Sequence, residues 1–121
     1  MAKNLEISIL FDFYGDMLTD KQREMIEYYY NDDLSLAEIA ENEGITRQGV
    51  RDSIKRAESQ LLEMEDRLGL ARRFKEMKSG FDSIRNAANN IREYNGRCGR
   101  SRDIEECAVH ILDITRRLCE L

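Results

Sequence analysis

The stretch Thr46–Arg56 carries the side chains whose types and spacing best fit a chemical role. Four cationic side chains stand there against the single acid Asp52, which gives a local net charge of +3. Helix N-termini bind phosphate through free N–H groups, and Arg and Gln side chains reach base edges in the major groove. The stretch therefore predicts a nucleic-acid contact surface, whose candidate residues are Thr46, Arg47, Gln48, Arg51, Lys55 and Arg56.

The distribution of charge along the chain makes this stretch stand out. Residues 1–70 hold 8 Lys/Arg and 16 Asp/Glu, a net charge of −8, whereas residues 71–121 have a net charge of +3. The total of −5 argues against a generic polyanion binder, so only a local basic field fits nucleic acid. The alternative stays open that these basic residues are the solvated face of a helix in a protein-binding module.

The residues around this stretch predict two short helices joined by a tight turn. Ser35 is a helix N-cap with Glu38 as its capping-box partner, and Gly44 supplies the permissive backbone of the turn. Thr46 caps the second helix. The segment Leu34–Lys55 thus has the pattern of a helix-turn-helix.

Apolar residues in the same segment predict how the two helices pack. Ala40 is small enough for the second helix to approach closely, and Ile45 is expected to fill the core between the helices. Val50 and Ile54 are expected to anchor the second helix from below. This leaves the basic side chains on the opposite face.

The rest of the N-terminal half also predicts helices. The chain has no Pro and 36% charged residues, which is typical of helical proteins. One helix is expected to close near Gly15, and the next begins at the N-cap Thr19 and stops at Asn31–Asp33. The helix that starts at Thr46 is expected to reach about Arg67, before Gly69.

The C-terminal half predicts two amphipathic helices. Apolar residues recur at alternating spacings of four and three from Leu70 to Ile91, and a turn follows at Asn95–Gly99. A last helix starts at Ser101 or Asp103. Two helices alone bury little apolar area, so they need either the long fourth helix or a second chain, and a homodimer is expected. The candidate dimer residues are Leu61, Met64, Leu68, Phe74, Met77, Phe81, Ile84, Ile91, Ile111 and Leu118.

The predicted fold class is therefore all-α. We expect an N-terminal tri-helical helix-turn-helix domain over residues 1–68, whose long fourth helix leads into a C-terminal dimerisation hairpin over residues 69–121. No apolar stretch is long enough to span a membrane and the N-terminus lacks a secretory pattern, so a cytoplasmic protein is expected.

Two parts of the sequence resemble known families. The stretch from Leu18-Thr19-Asp20-Lys21-Gln22-Arg23 to Ile39-Ala40 resembles region 4 of bacterial sigma factors. The opening Phe11-Asp12-Phe13-Tyr14-Gly15, together with Asp52-Ser53-Ile54-Lys55-Arg56-Ala57-Glu58, closely resembles the YlxM family of small helix-turn-helix proteins. The likeness covers about residues 3–70.

The resemblance implies a bacterial regulator encoded beside the signal recognition particle genes, with a winged-helix or sigma-region-4-like fold. It implies DNA contacts at Arg47, Gln48, Arg51 and Lys55 and brings no catalytic residues. It also implies a second possibility, an interaction module that binds the signal recognition particle GTPase or its RNA. For that module, a surface strip is expected from Arg85, Arg92, Arg97, Arg100 and Arg102.

Enzyme function is not expected, because the sequence has no Gly-rich phosphate loop and no Ser/His/Asp set. The cysteines Cys98, Cys107 and Cys119 form no C-x-x-C pair, and His110 has no second His in reach. We therefore expect no metal, no cofactor and no small-molecule substrate, with free thiols in a reducing compartment.

Overall fold

The computed structural model describes residues 2–120 and places six α-helices and no strand in that part of the chain. The all-α prediction is confirmed. The helices are α1 (Leu5–Tyr14), α2 (Asp20–Ile26), α3 (Leu36–Glu43), α4 (Arg47–Leu68), α5 (Leu70–Tyr94) and α6 (Arg102–Cys119). The chain divides into two compact units, Met1–Ala71 and Arg72–Leu121, each of which is described separately.

Helix α4 is the centre of the first unit, because α1, α2 and α3 all pack against it. Four of its apolar side chains have no exposed surface and form one core with side chains of the three other helices. The core members contributed by α4 are Val50, Ile54, Ala57 and Leu61. The other helices and their connections contribute Ile7, Leu10, Phe11, Tyr14, Leu18, Met25, Ile26, Tyr29, Ile39 and Ala40.

Side-chain caps fix where the helices of this unit begin. Thr19 accepts from the N–H of Gln22, whose side chain accepts in return from the N–H of Thr19. Ser35 and Glu38 make the same reciprocal pair at the start of α3. The predicted capping box at Ser35 and the predicted N-cap at Thr19 are confirmed, and each reciprocal pair satisfies two N–H groups that a helix leaves without an internal partner.

A buried hydroxyl joins the end of α4 to α1. The Tyr14 hydroxyl donates to Glu65 Oε1 at 2.7 Å and accepts from the N–H of Leu70 at 3.0 Å. The same Glu65 oxygen accepts from the N–H of Ala71 at 3.1 Å. Burial, followed by the hydrogen bond to Glu65, raises the pKa of Tyr14. Two of the first N–H groups of α5 are satisfied in this way, just after Gly69 ends α4 in the left-handed region at φ 64°.

The segment Glu27–Asn31 differs from the sequence expectation, because it is a π-helical turn rather than a continuation of α2. The wider turn buries Tyr29 and leaves Tyr28 and Tyr30 partly buried against the core. The Tyr30 hydroxyl donates to Glu58 Oε1 of α4 at 2.7 Å. Burial and this hydrogen bond raise the pKa of Tyr30 to about 12. Tyr29 and Tyr30 therefore help to hold α4 in its position.

Two ion pairs tie further parts of the first unit together. Lys21 of α2 pairs with Glu43 at the end of α3, and this contact raises the pKa of Lys21. Lys3 pairs with Asp33, and the Lys3 ammonium lowers the pKa of that carboxyl. The three short helices are thus linked at their ends as well as through the core.

The second unit is a helical hairpin with a very small interior. Its buried side chains in the described part of the chain are Ala88, Asn95, Ala108 and Thr115. Asn95 closes the connection between the helices, since its Nδ2 donates to Ser101 O and its Oδ1 accepts from the N–H of Ser101, both at 2.8 Å. Large apolar side chains of α5 and α6 remain about half exposed.

One predicted dimer residue is corrected by the fold. Leu61 has no exposed surface and belongs to the core of the first unit. Apolar residues of α4 recur at spacings of four and three from Val50 through Leu61 to Leu68. The first part of this series packs against α1, α2 and α3. Met64 is also partly buried against the same core, whereas Leu68 is exposed.

Two glycine substitutions test the backbone assignments. Gly44 has φ 68° in the turn after α3, so Gly44→Ala should lower the free energy of unfolding by about 1 kcal/mol.

Gly80 lies inside α5 with open space around its Cβ position, so Gly80→Ala should raise the free energy of unfolding by about 0.5–1 kcal/mol. Circular dichroism during urea denaturation measures both, and equal effects of the two changes would contradict the assignment.

Candidate nucleic-acid interface

The turn between α3 and α4 sets the direction of the second helix. Gly44 adopts φ 68°, ψ 31° and donates its N–H to Ala40 O, and the N–H of Ile45 reaches the same carbonyl at 3.1 Å. Thr46 then caps α4 by accepting from the N–H of Gly49 at 3.0 Å. Three residues, Gly44, Ile45 and Thr46, therefore separate α3 from the 22-residue helix α4.

The two sides of α4 have opposite environments in its first three turns. Val50, Ile54 and Ala57 have no exposed surface. The candidate contact residues lie on exposed positions of the same turns. They are Thr46, Arg47, Gln48, Arg51, Lys55 and Arg56. The structure therefore brings all six together on the outer side of one helix.

The charge of this surface is not neutralised from within the described residues 2–120. Its four cationic side chains, Arg47, Arg51, Lys55 and Arg56, form no ion pair there with a nearby carboxylate. The one acid of the stretch, Asp52, instead accepts from Gln48 Nε2 at 2.9 Å. The four positive charges thus stay available to an anionic partner.

A shallow open groove lies between the start of α3 and the start of α4. Its volume is about 440 Å³, and Ser35, Leu36 and Ala37 form one wall. Arg47, Gln48 and Arg51 form the other wall. The positive ends of two helix dipoles flank this groove, together with two guanidinium groups. It is an arrangement that accommodates a phosphate on a nucleic-acid backbone.

Sequence reasoning missed the α3 wall of the groove. The residues Ser35–Ala37 are exposed or partly exposed at the first turn of α3, and the N-cap signal at Ser35 already located that turn. The helix-turn-helix pattern itself brings the starts of the two helices side by side. That consequence of the predicted turn could therefore have been drawn from the sequence.

The expectation for Ile45 was wrong. Its side chain is 42% exposed rather than part of the core. A Cβ added at Gly49 would lie 3.7 Å from Ile45 Cδ1 and 3.2 Å from Thr46 Oγ1. Ile45 therefore covers the first turn of α4, at the edge of the candidate interface. The glycine at position 49 leaves room for the Thr46 cap.

The arginine strip expected in the C-terminal half is not a surface of free charge. Four of the five arginines form ion pairs with neighbouring acids, and Arg100 instead bonds Gly96 O at 3.3 Å. The pairs are Arg85–Asp82, Arg92–Glu105, Arg97–Glu93 and Arg102–Glu106. These pairs cancel most of the local field, whereas the field at α4 persists.

Other kinds of site find little support in the described part of the chain. No group of three or more His, Cys, Asp or Glu side chains there is arranged to hold a metal ion. Cys98, Cys107 and Cys119 are free thiols. No helix between residues 2 and 120 has the length and apolar character needed to cross a membrane.

The fold and the exposed basic helix define a helix-turn-helix protein. Residues 1–97 match the UPF0122 family, whose description is "Putative helix-turn-helix protein, YlxM / p13 like". The chain belongs to this family, and the resemblance to the YlxM family predicted from the sequence is confirmed.

Individual relatives match over much of their length. A UPF0122 protein of Thermoanaerobacter sp. (strain X514) is 46% identical over 117 residues, which cover 97% of this chain and 94% of that protein. The UPF0122 protein of Shouchella clausii (strain KSM-K16) is 46% identical over 87 residues, 72% of this chain and 80% of that protein. The UPF0122 protein YlxM of Bacillus subtilis (strain 168) is 41% identical over 93 residues, 77% of this chain and 84% of that protein.

Proposed function

We propose that this protein is a DNA-binding regulator that reads duplex DNA with α4. The observation that carries the proposal is the set of four cationic side chains without ion-pair partners in residues 2–120, held on the exposed side of a helix whose other side is fully buried. Helix-turn-helix proteins place the second helix of the motif in the major groove.

The positions of the side chains suggest a division of roles. Arg47, Gln48 and Arg51 are in the first turns of α4, where a recognition helix meets base edges. Lys55 and Arg56 are one to two turns further along and suit the phosphate backbone. The groove beside Ser35 would bind a phosphate of the DNA backbone next to the bases that α4 contacts.

The acidic residues in the rest of the first unit favour an approach of DNA to the basic side of α4 alone. Residues 1–70 have a net charge of −8 although Thr46–Arg56 contributes +3, so the rest of the segment carries −11. Acidic surfaces repel a polyanion, and the basic helix attracts it. DNA would therefore meet the protein in one orientation.

Binding to duplex DNA over a series of salt concentrations tests the proposal. Affinity should fall steeply as salt rises, because each phosphate contact releases a counterion. Arg47→Ala and Arg51→Ala should each weaken binding by about 1–3 kcal/mol if they contact base edges. Both side chains are exposed, so stability should change by less than about 0.5 kcal/mol.

Arg102→Ala is the matched control for these variants, because Arg102 is exposed but pairs with Glu106 in the second unit. It should leave DNA affinity and its salt dependence unchanged. Absent binding, salt-independent binding, or an equal loss in Arg102→Ala would remove the proposal.

The DNA-binding form in this proposal is a homodimer. Many helix-turn-helix dimers contact two half-sites about 34 Å apart, and the exposed apolar side chains of the hairpin offer a surface for association. Without Leu61, the proposed dimer residues are Met64, Leu68, Phe74, Met77, Phe81, Ile84, Ile91, Ile111 and Leu118.

Mass measurement by light scattering at tens of micromolar protein tests the homodimer. The wild-type chain should have twice the chain mass of 14.2 kDa. Met77→Glu combined with Ile91→Glu should give a monomer, because charges would enter the apolar contact. Leu5→Glu changes an apolar side chain that is 80% exposed on α1 and should leave the dimer intact. A monomeric wild-type chain would contradict the proposal.

A second candidate function is participation in the signal recognition particle pathway as an interaction module, as the family resemblance implies. The acidic surface of the first unit favours a basic protein partner. The internally paired arginines of the hairpin give no support to RNA as that partner.

Separate pull-downs with the purified GTPase and its RNA test this second function. We expect retention of the GTPase at micromolar concentration, and we expect Arg47→Ala to leave that retention unchanged. Retention of neither component would contradict the interaction module and would leave the DNA-binding proposal standing.

A further inference from the structure

The hairpin of α5 and α6 presents a continuous apolar face that its own two helices cannot cover. A groove of about 270 Å³ joins Met77 and Phe81 of α5 to Leu118 of α6. A second depression near the other end of the hairpin joins Ile91 to Ile104 and Ile111. The two depressions mark the two ends of one apolar surface that runs along both helices.

The area of this face is close to what a stable dimer needs. Eight large apolar side chains on the two helices are each 38–56% exposed. They are Phe74, Met77, Ile84, Ile91, Ile104, Ile111, Ile114 and Leu118. At about 80 Å² of exposed surface for each, covering them removes about 650 Å² per copy, against about 800 Å² per partner in a standard interface.

The charges around the face favour a second copy of this chain as the occupant. Arg92 pairs with Glu105, Arg102 pairs with Glu106, and both Arg116 and Arg117 reach Asp113. These charged side chains form the rim of the apolar face. Because their charges are already paired, the rim does not repel the same rim of a second copy. A strongly charged partner would instead need unpaired charge to recognise.

One part of the rim keeps an excess of charge and sets the orientation. The first turns of α5 include residues 73–78, which contain three Lys/Arg and one acid, a net charge of +2. Two copies side by side in the same direction would bring these ends together. Like charges in an interface cost free energy, so the two ends should lie apart.

We infer that two hairpins associate face to face and antiparallel, as a four-helix bundle whose two-fold axis passes near residues 82–83 of α5. This inference rests on the proposed homodimer and specifies its geometry. The apolar positions of α5 match under this symmetry, because Phe74 then lies at the level of Ile91 and Phe81 at the level of Ile84. The basic first turns of α5 then lie at the level of residues 87–93, near the other end of the same helix.

Distances between spin labels on the two copies of the full chain test the orientation. The background carries Cys98→Ser, Cys107→Ala and Cys119→Ala, and single labelled cysteines replace Glu76, Ser83 or Asn90. These three positions are exposed and seven residues apart, so their side chains leave α5 in nearly the same direction. Electron–electron dipolar spectroscopy reports the distance between the two labels of a dimer.

The antiparallel bundle predicts the shortest distance at position 83. The two labels at position 76, one in each copy, should be displaced from each other by roughly 20 Å along the bundle axis, at 1.5 Å per residue. The same displacement is expected for the two labels at position 90. Equal distances at the three positions, or distances that change steadily from 76 to 90, would overturn the antiparallel orientation while the dimer survives. A monomer mass would overturn the homodimer itself.

Discussion

The structure depends on the burial of one side of α4. Val50, Ile54, Ala57 and Leu61 have no exposed surface, and three other helices pack against the same helix. A helix with 3.6 residues per turn cannot rotate without moving each of these side chains into water. The rotation that buries them directs Arg47, Arg51 and Lys55 outward, so the core of the first unit also positions the candidate interface.

The two units differ in how far their arginine side chains form ion pairs. In the described part of the second unit, most arginines pair with acids three or four residues away or across the hairpin. On α4 the one nearby acid, Asp52, is bound by the Gln48 amide instead. A basic surface that persists in an acidic unit is therefore a feature of the fold. The paired arginines of the hairpin leave little net charge around its apolar face, except at the basic first turns of α5.

The sequence predicted those parts of the fold that local chemistry determines. The caps at Thr19, Ser35 and Thr46 and the left-handed Gly44 follow from hydrogen bonding and backbone sterics within a few residues. The family resemblance and the all-α class were predicted as well. The domain limits and the contact residues stay predictions, although the six contact residues do share one exposed side of α4.

The errors arose where tertiary packing decides the outcome. Leu61 continues a four–three spacing that also runs through the exposed part of the chain, and only the packing of α1–α3 shows that it belongs to the core. Ile45 has the character of a core residue, yet the tight turn leaves it at the surface. The π-helical turn at Glu27–Asn31 depends on burying Tyr29 and bonding Tyr30 to α4. No local signal in the sequence specifies these contacts.

Amide chemical shifts of the labelled full chain, recorded while duplex DNA is added, test the central claim most directly. The account predicts that perturbed amides cluster at the starts of α3 and α4, from Ser35 to Ala37 and from Thr46 to Arg56. Amides of α5 and α6 should keep their positions. Perturbations centred on the arginines of the hairpin, or none on α4 at DNA concentrations that saturate binding, would contradict the account.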